Sequence, residues 1–241
     1  KCRTSLLALC RISLPAFLPH MLSPRAHNFI SYAGAAVVFG FAYPSDHTSW
    51  LTPAFLMWTA HFARRALETL LLFRFSAATV PLSDSVTEFV YYWCFGWWIA
   101  RTCGGAAPSS PSPIAPNIIS LLGVVVWGLA EFCNYRCHVS LATNPDKSRR
   151  VSDGRPYLFG SVTCPHYWFE ITSWFGFNMV TGFTLAGTLF MTLGGLIMSC
   201  WAIQKHEKYQ KNPLSASTRH TPIFPGIDLR PPQALVEALA K

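Results

Sequence analysis

Charge is what this chain has least of. Only 12% of its 241 residues are Asp, Glu, Lys or Arg, about half the share of an ordinary soluble domain. So small a share argues against a water-facing surface over most of the chain. Acidic residues are the scarcer sign, 11 against 19 Lys and Arg, for a formal net charge of +8. The eight cysteines include no C-x-x-C pair. Most lie in or beside apolar runs, where a free thiol behaves as a small hydrophobe, so no structural disulfide is expected. Cys133, Cys137 and His138 match no common zinc spacing. The repeated-histidine boxes of membrane di-iron oxidases are missing too, and no metal is expected. There is no internal repeat and no convincing signal peptide.

Apolar residues fill the space that charge leaves. They make up 51% of the chain and aromatics 15%, with a mean hydropathy of +0.28. Several runs approach the roughly 20 residues needed to cross a bilayer. They lie at about 26–43, 50–73, 85–101, 114–136, 166–181 and 183–203. The fold class expected is all-α, a polytopic transmembrane helical bundle of about six spans. A soluble protein with many buried helices is the competing reading. One membrane domain, 26–211, follows a segment 1–25 that is interfacial or truncated: an apolar patch at 5–18, in a chain that opens on Lys1 rather than Met. A Pro-rich cytosolic tail, 212–241, is expected to be extended over 212–232, with one short helix at 233–240. Residues 104–116 hold four prolines and form a loop.

The basic residues set the orientation. Lys147, Arg149, Arg150 and Arg155 crowd the loop at 143–155, and Lys205, Lys208, Lys211, Arg219 and Arg230 follow the last span. Loops 44–49 and 102–113 hold no Lys or Arg. The positive-inside rule then puts loop 143–155 and both ends in the cytosol. The same charges suit a phosphate-bearing ligand or anionic lipid head groups. Nucleic acid is not an expected partner, because the charges flank spans.

Four polar clusters interrupt the apolar runs, and such groups at membrane depth usually carry function. His61, Arg64, Arg65 and Glu68 recur at helical spacing. An internal Arg64–Glu68 salt bridge, snorkelling arginines and a face lining a polar cavity are all open readings. In F-C-N-Y-R-C-H at 132–138, Asn134 and His138 are four apart. They suit either a ligand's ribose and amide or a contact between helices. C-P-H-Y-W-F-E-I-T-S-W-F-G at 164–176 places His166, Tyr167 and Glu170 within five positions. Tyr167 reads as an interfacial aromatic or a functional phenol, and His166 as a packing histidine or a ligand contact. Glu170, among Trp168, Phe169, Ile171 and Trp174, resists a bland reading best, since a carboxylate there is costly without a partner. In W-A-I-Q-K-H-E-K-Y at 201–209, Lys205, His206 and Lys208 either anchor a helix end or grip a phosphate. Together the clusters outline a cavity open to the cytosol. Physics alone names no reaction for it.

The stretch H-F-A-R-R-A-L-E-T-L-L-L-F-R-F-S-A-A-T-V-P at 61–81 resembles the trans-2-enoyl-CoA reductases of very-long-chain fatty-acid elongation, within the steroid 5α-reductase family. So do Y-Y-W at 91–93 and the clusters at 164–176 and 201–209, in the family's order. The resemblance implies a helical bundle in the endoplasmic reticulum membrane, with NADPH entering from the cytosol. It implies reduction of the C2–C3 double bond of a long-chain 2-enoyl-CoA, in contact with membrane lipids and other elongation enzymes. By its C-P-x-Y motif the resemblance implies that Tyr167 is the proton donor. Glu170 is expected to orient the nicotinamide amide or the tyrosine. Asn134, His138, His166, His206 and Tyr209 are expected to contact the cofactor, and Lys205 and Lys208 are added on charge. His61, Arg65 and Glu68 are assigned to the substrate cavity. Two departures stand out. His166 replaces the family's usual Asn, and L-A-T-N-P at 141–145 lacks the arginines of the usual L-R-x-L-R element. Lys147, Arg149 and Arg150 are candidates to compensate. A sterol or polyprenol reductase of the same family, and an inactive scaffold in the elongation complex, are the alternatives.

Overall fold

The structure, a computed structural model, describes residues 21–44, 52–75, 79–104, 118–143, 162–211 and 221–227. Over these the chain forms six α-helices and one short antiparallel strand pair. In order they are β1 (Met21–Leu22), α1 (Pro24–Ala42), α2 (Pro53–Leu71), β2 (Val80–Pro81), α3 (Leu82–Gly104), α4 (Ile118–Thr143), α5 (Pro165–Thr181) and α6 (Leu185–Gln210). The apolar patch at 5–18, most of loops 104–116 and 143–155, the charges Lys147, Arg149 and Arg150, and the expected helix at 233–240 lie outside the described residues.

Local sequence explains where the helices begin. Ser23, Thr52 and Thr184 cap α1, α2 and α6, each side chain accepting from the amide three residues on. Pro24, Pro53 and Pro165 open α1, α2 and α5, where a missing N–H costs nothing and φ is already helical. The α5–α6 turn pivots on Gly182, at φ 71°, a conformation glycine takes without steric cost.

The six helices coincide with the six expected spans, but three run further. α3 covers 82–104 rather than 85–101. α4 ends at Thr143 rather than 136, and α6 at Gln210 rather than 203. In α4 and α6 the added turns carry polar groups that facing helices meet, His138 against Glu68 of α2 and Lys205 against Tyr167 of α5, so polarity does not end the helix. Both the Asn134–His138 stretch and the Lys205–Tyr209 stretch therefore ride on helices.

The bundle is apolar outside and ionic inside. α4 and α6 are long and apolar enough to cross a membrane by length and composition. Only 22% of each apolar window is buried. Leu121, Leu122, Val125, Leu129 and Phe132 on α4, and Leu185, Leu189, Leu193 and Leu196 on α6, are exposed. In water such stripes would associate; in a bilayer they face acyl chains. Inside, an aromatic floor of Phe39, Trp58, Phe62, Trp174, Phe177 and Phe190 joins four of the helices, α1, α2, α5 and α6. Trp58 anchors it, stacked on Phe39 at 4.8 Å and donating its indole N–H to Ala35 O at 3.1 Å.

α4 and α5 pack most closely. A Cβ on Gly123 would lie 2.7 Å from Gly176 O, and one on Gly176 would lie 2.7 Å from Gly123 O and from Trp127 N. Only glycine permits that backbone approach. The tail is not wholly extended. Residues 221–227 fold back onto the start of α5, with Thr163 N donating to Thr221 O at 2.9 Å and Cys164 N to Pro222 O at 3.1 Å. Ile223 is buried there with Cys164, Met198 and Ala202.

Candidate active site

One face of α2 changes character along its length. Met57, Trp58 and Phe62 join the aromatic floor, and then His61, Arg65 and Glu68 carry the same face into an ionic layer. His61 marks the boundary, with its ring 4.6 Å from that of Trp174. A buried charge survives only with partners, and each here has several. Arg65 Nη1 donates to Glu68 Oε2 at 2.9 Å, and Arg65 Nη2 donates to the Tyr32 hydroxyl at 3.1 Å. The guanidinium also lies over the rings of Tyr32 and Phe73, at 5.0 and 5.3 Å. Arg64 pairs with Glu68 on its own helix. The salt bridge readable from the sequence is thus present, within a larger network.

α4 supplies the facing side. Glu131 receives Arg64 Nε at 2.9 Å and holds His61 Nδ1 at 2.7 Å. Asn134 is fully buried. Its Oδ1 accepts from Arg64 Nη2 at 2.9 Å, while its Nδ2 donates to His166 O at 2.8 Å and to Glu170 Oε2 at 3.3 Å. One amide thereby joins α2, α4 and α5. His138 Nδ1 lies 2.8 Å from Glu68 Oε2 and 2.9 Å from Arg65 Nη1. The carboxylate contact assigns the proton to Nδ1, because an N–H can donate to Glu68 and not to a guanidinium.

α5 carries the third side and the way out. Glu170 Oε1 is 3.8 Å from His61 Nε2, so His61 stands between two carboxylates. The His166 ring is 5.8 Å from His138 and 4.2 Å from Tyr167. Tyr167 leaves the ionic layer and enters a cleft of about 320 Å³, lined also by Trp201, Gln204, Lys205 and Lys208 of α6. Lys205 Nζ donates to the Tyr167 hydroxyl at 2.6 Å. Beside it, at the start of α5, the Cys164 thiol is buried. Burial pushes it up to about 11, against the opposing pull of the Lys205 charge.

The structure gathers the four polar clusters at one end of the bundle, because successive helices bring the last turns of α2, α4 and α6 beside the first turn of α5. It places them in two connected groups. Asn134, His138, His166, His61, Arg65, Glu68 and Glu170 form the ionic layer, while Tyr167, Lys205 and Lys208 line the cleft. His61, Arg65 and Glu68, expected to wall an open cavity, are buried, Arg65 paired with Glu68 and His61 with Glu131; the cleft is lined by α5 and α6. His206 is buried, with Nδ1 2.6 Å from Thr163 Oγ1, under the folded-back tail. Tyr209 is half-buried one turn on. Glu170 points to Asn134 and His61, while the Tyr167 hydroxyl meets Lys205. Sequence reasoning missed Glu131, which stands in an apolar run three residues before Asn134, and Tyr32, whose hydroxyl no local pattern distinguishes.

Comparison with known proteins places the chain in a family. The family model described as 3-oxo-5-alpha-steroid 4-dehydrogenase matches residues 78–224, which includes α3 to α6 and the first part of the folded-back tail. A putative enoyl-CoA reductase of Trypanosoma brucei brucei is 33% identical over 160 residues, 64% of this chain and 51% of that protein. The very-long-chain enoyl-CoA reductase of Dictyostelium discoideum is 32% identical over 159 residues, 66% of this chain and 51% of that protein. A probable very-long-chain enoyl-CoA reductase of Caenorhabditis elegans is 32% identical over 165 residues, 66% and 53%. The chain spans about half the length of each of these relatives. With the family model covering more than half of it, the chain belongs to the 3-oxo-5-alpha-steroid 4-dehydrogenase family, the steroid 5α-reductase family of membrane helical proteins.

Proposed function

We propose that this chain is the membrane domain of an NADPH-dependent reductase that saturates the C2–C3 double bond of a very-long-chain trans-2-enoyl-CoA. That reaction is the last step of the fatty-acid elongation cycle. The proposed setting is the endoplasmic reticulum membrane, beside other elongation enzymes, with the site facing the cytosol. The names of the similar proteins support the substrate class. The observation that carries the reading is the Tyr167 hydroxyl, presented at a cationic cleft with the ionic layer directly behind it.

The donor set fits a nicotinamide dinucleotide. Two ammonium groups, an amide, an indole and a phenol line the cleft, as suits phosphates and an aromatic ring together. Arg65 Nε is buried with no hydrogen-bond partner among the described residues, a spare donor beside the layer. Lys208 and Tyr209 would hold the phosphate-bearing part and His166 would meet the amide or ribose beside Tyr167, while Asn134, His138 and His206, buried and already hydrogen-bonded, would shape the wall behind the cleft rather than touch the cofactor. The cofactor, when bound, supplies a hydride to C3, which the thioester makes electrophilic.

The chain's own residues then have two tasks. Charge accumulates on the thioester oxygen and C2 needs a proton. Tyr167 carries a hydroxyl proton at the cleft and gives it to C2 as a general acid. Glu170 is held by Asn134 and faces His61, so its charge is fixed against the layer, leaving the phenol free to donate. The packed aromatic floor closes the other side of the site to water.

A second reading, reduction of a sterol double bond, draws support from the steroid description of the family model. It shares the chemistry and differs in the lipid. NADPH oxidation by the detergent-purified protein, with trans-2-hexadecenoyl-CoA and a sterol enone in parallel, separates the two. Consumption with the thioester alone is expected. Consumption with the sterol alone would transfer the assignment, and none with either would leave a scaffold role.

A further inference from the structure

On charge alone Lys205 reads as a phosphate grip, but its ammonium has a closer occupation. Nζ donates to the Tyr167 hydroxyl at 2.6 Å and stands 4.6 Å from the ring centroid. The two residues are 38 positions apart, so the contact is made by the pairing of α5 with α6. Trp201, one turn before Lys205, has its ring 6.2 Å from that of Tyr167, and buried Ala202 and Cys164 pack with Tyr167 below. The phenol is thus held on its oxygen and on its face. The hydroxyl oxygen accepts from Lys205, so its own O–H is left to donate into the cleft. An adjacent cation also favours the ionised form of a phenol.

We infer that Lys205 is the positioning residue for Tyr167: it fixes the phenol, stabilises the phenolate left after proton donation, and restores its proton. The inference rests on the reductase reading above. The reducing equivalent is a hydride from a reduced nicotinamide, received at C3. The Tyr167 O–H bond breaks as the C2–H bond forms. The phenolate then takes a proton from Lys205 Nζ, and the neutral amine recovers one from water at its exposed position.

The test compares Lys205→Ala with wild type and Tyr167→Phe, all as the full chain in detergent. Lys205→Ala is expected to lower kcat about 100-fold while changing the NADPH Kd by no more than about threefold. Propylammonium in the buffer is expected to restore part of that kcat in Lys205→Ala and none in Tyr167→Phe. A readout independent of turnover is the ¹⁹F resonance of 3-fluorotyrosine placed at 167, which is expected to move on Lys205→Ala. An NADPH Kd raised about tenfold with kcat unchanged returns Lys205 to the phosphates and overturns the inference, as does an unmoved resonance. A wild-type protein that binds NADPH but reduces no enoyl thioester defeats the functional reading instead, and the resonance alone then decides the pairing.

Discussion

The Tyr167 hydroxyl accepts from an ammonium and keeps its own proton to give. Replacing Tyr167 with Phe removes that proton and little volume. Turnover with an enoyl-CoA should fall by at least about 100-fold, with NADPH binding, followed by titration, largely kept. Near-normal turnover would take Tyr167 out of the role of acid. Glu131 works differently, since it neutralises Arg64 and orders His61 from a buried position. Glu131→Ala would leave buried His61 Nδ1 without its partner and take one of two carboxylates from Arg64, at a cost of about 1–3 kcal/mol, read as a lowered Tm in detergent; an unchanged Tm would show that the layer does not depend on it. Cys164 is buried, and its thiol is pushed up to about 11 chiefly by that burial. N-ethylmaleimide at neutral pH should modify it only after unfolding, as mass spectrometry of the tryptic peptides would show. Much of this layer was legible in the sequence, because a carboxylate or imidazole inside an apolar run draws attention. Glu131 escaped because it falls one position before the polar stretch that was singled out. The partners of each group were not legible: Arg64, Asn134 and Glu170 meet only when three helices from distant parts of the chain pack together.

At the scale of elements, the crossing of α4 and α5 fixes the site, since Asn134 of one helix binds His166 O and Glu170 of the other. Gly123 and Gly176 allow that approach. Gly176→Val would force the helices apart. It should cost about 1–3 kcal/mol through overpacking, and it should lower turnover as well as Tm. Full activity in that variant would show that the crossing does not set the geometry. Hydropathy alone located all six helices, and it cut α4 and α6 short. Their last turns turn polar just where α4 reaches the ionic layer and α6 the cleft, and a hydropathy pattern cannot tell a polar interior from the end of a span. The fold-back of 221–227 left no periodic signal, since its anchor is a few backbone hydrogen bonds and the side chain of Ile223.

For the molecule as a whole, the radial order of a soluble protein is reversed: leucines outside, ions within. The ionic layer lies toward the end where α5 starts and α6 stops, the end proposed to face the cytosol. A cysteine at position 208, in Lys208→Cys, should react with a membrane-impermeant maleimide added outside sealed endoplasmic reticulum vesicles, whose outer face is cytosolic. Reaction only after the vesicles are opened would reverse the proposed orientation. The central claim is that this polar end receives a hydride equivalent at C3 and a Tyr167 proton at C2 of an enoyl thioester. Its most direct test is mass and NMR analysis of the product formed from a trans-2-enoyl-CoA and deuteride-labelled NADPH in ordinary water. The account predicts a saturated acyl-CoA with one deuterium, at C3, and ordinary hydrogen at C2, formed by wild type and not by Tyr167→Phe. Deuterium found instead in a reduced sterol, or no saturated thioester from a folded protein that binds NADPH, would contradict it.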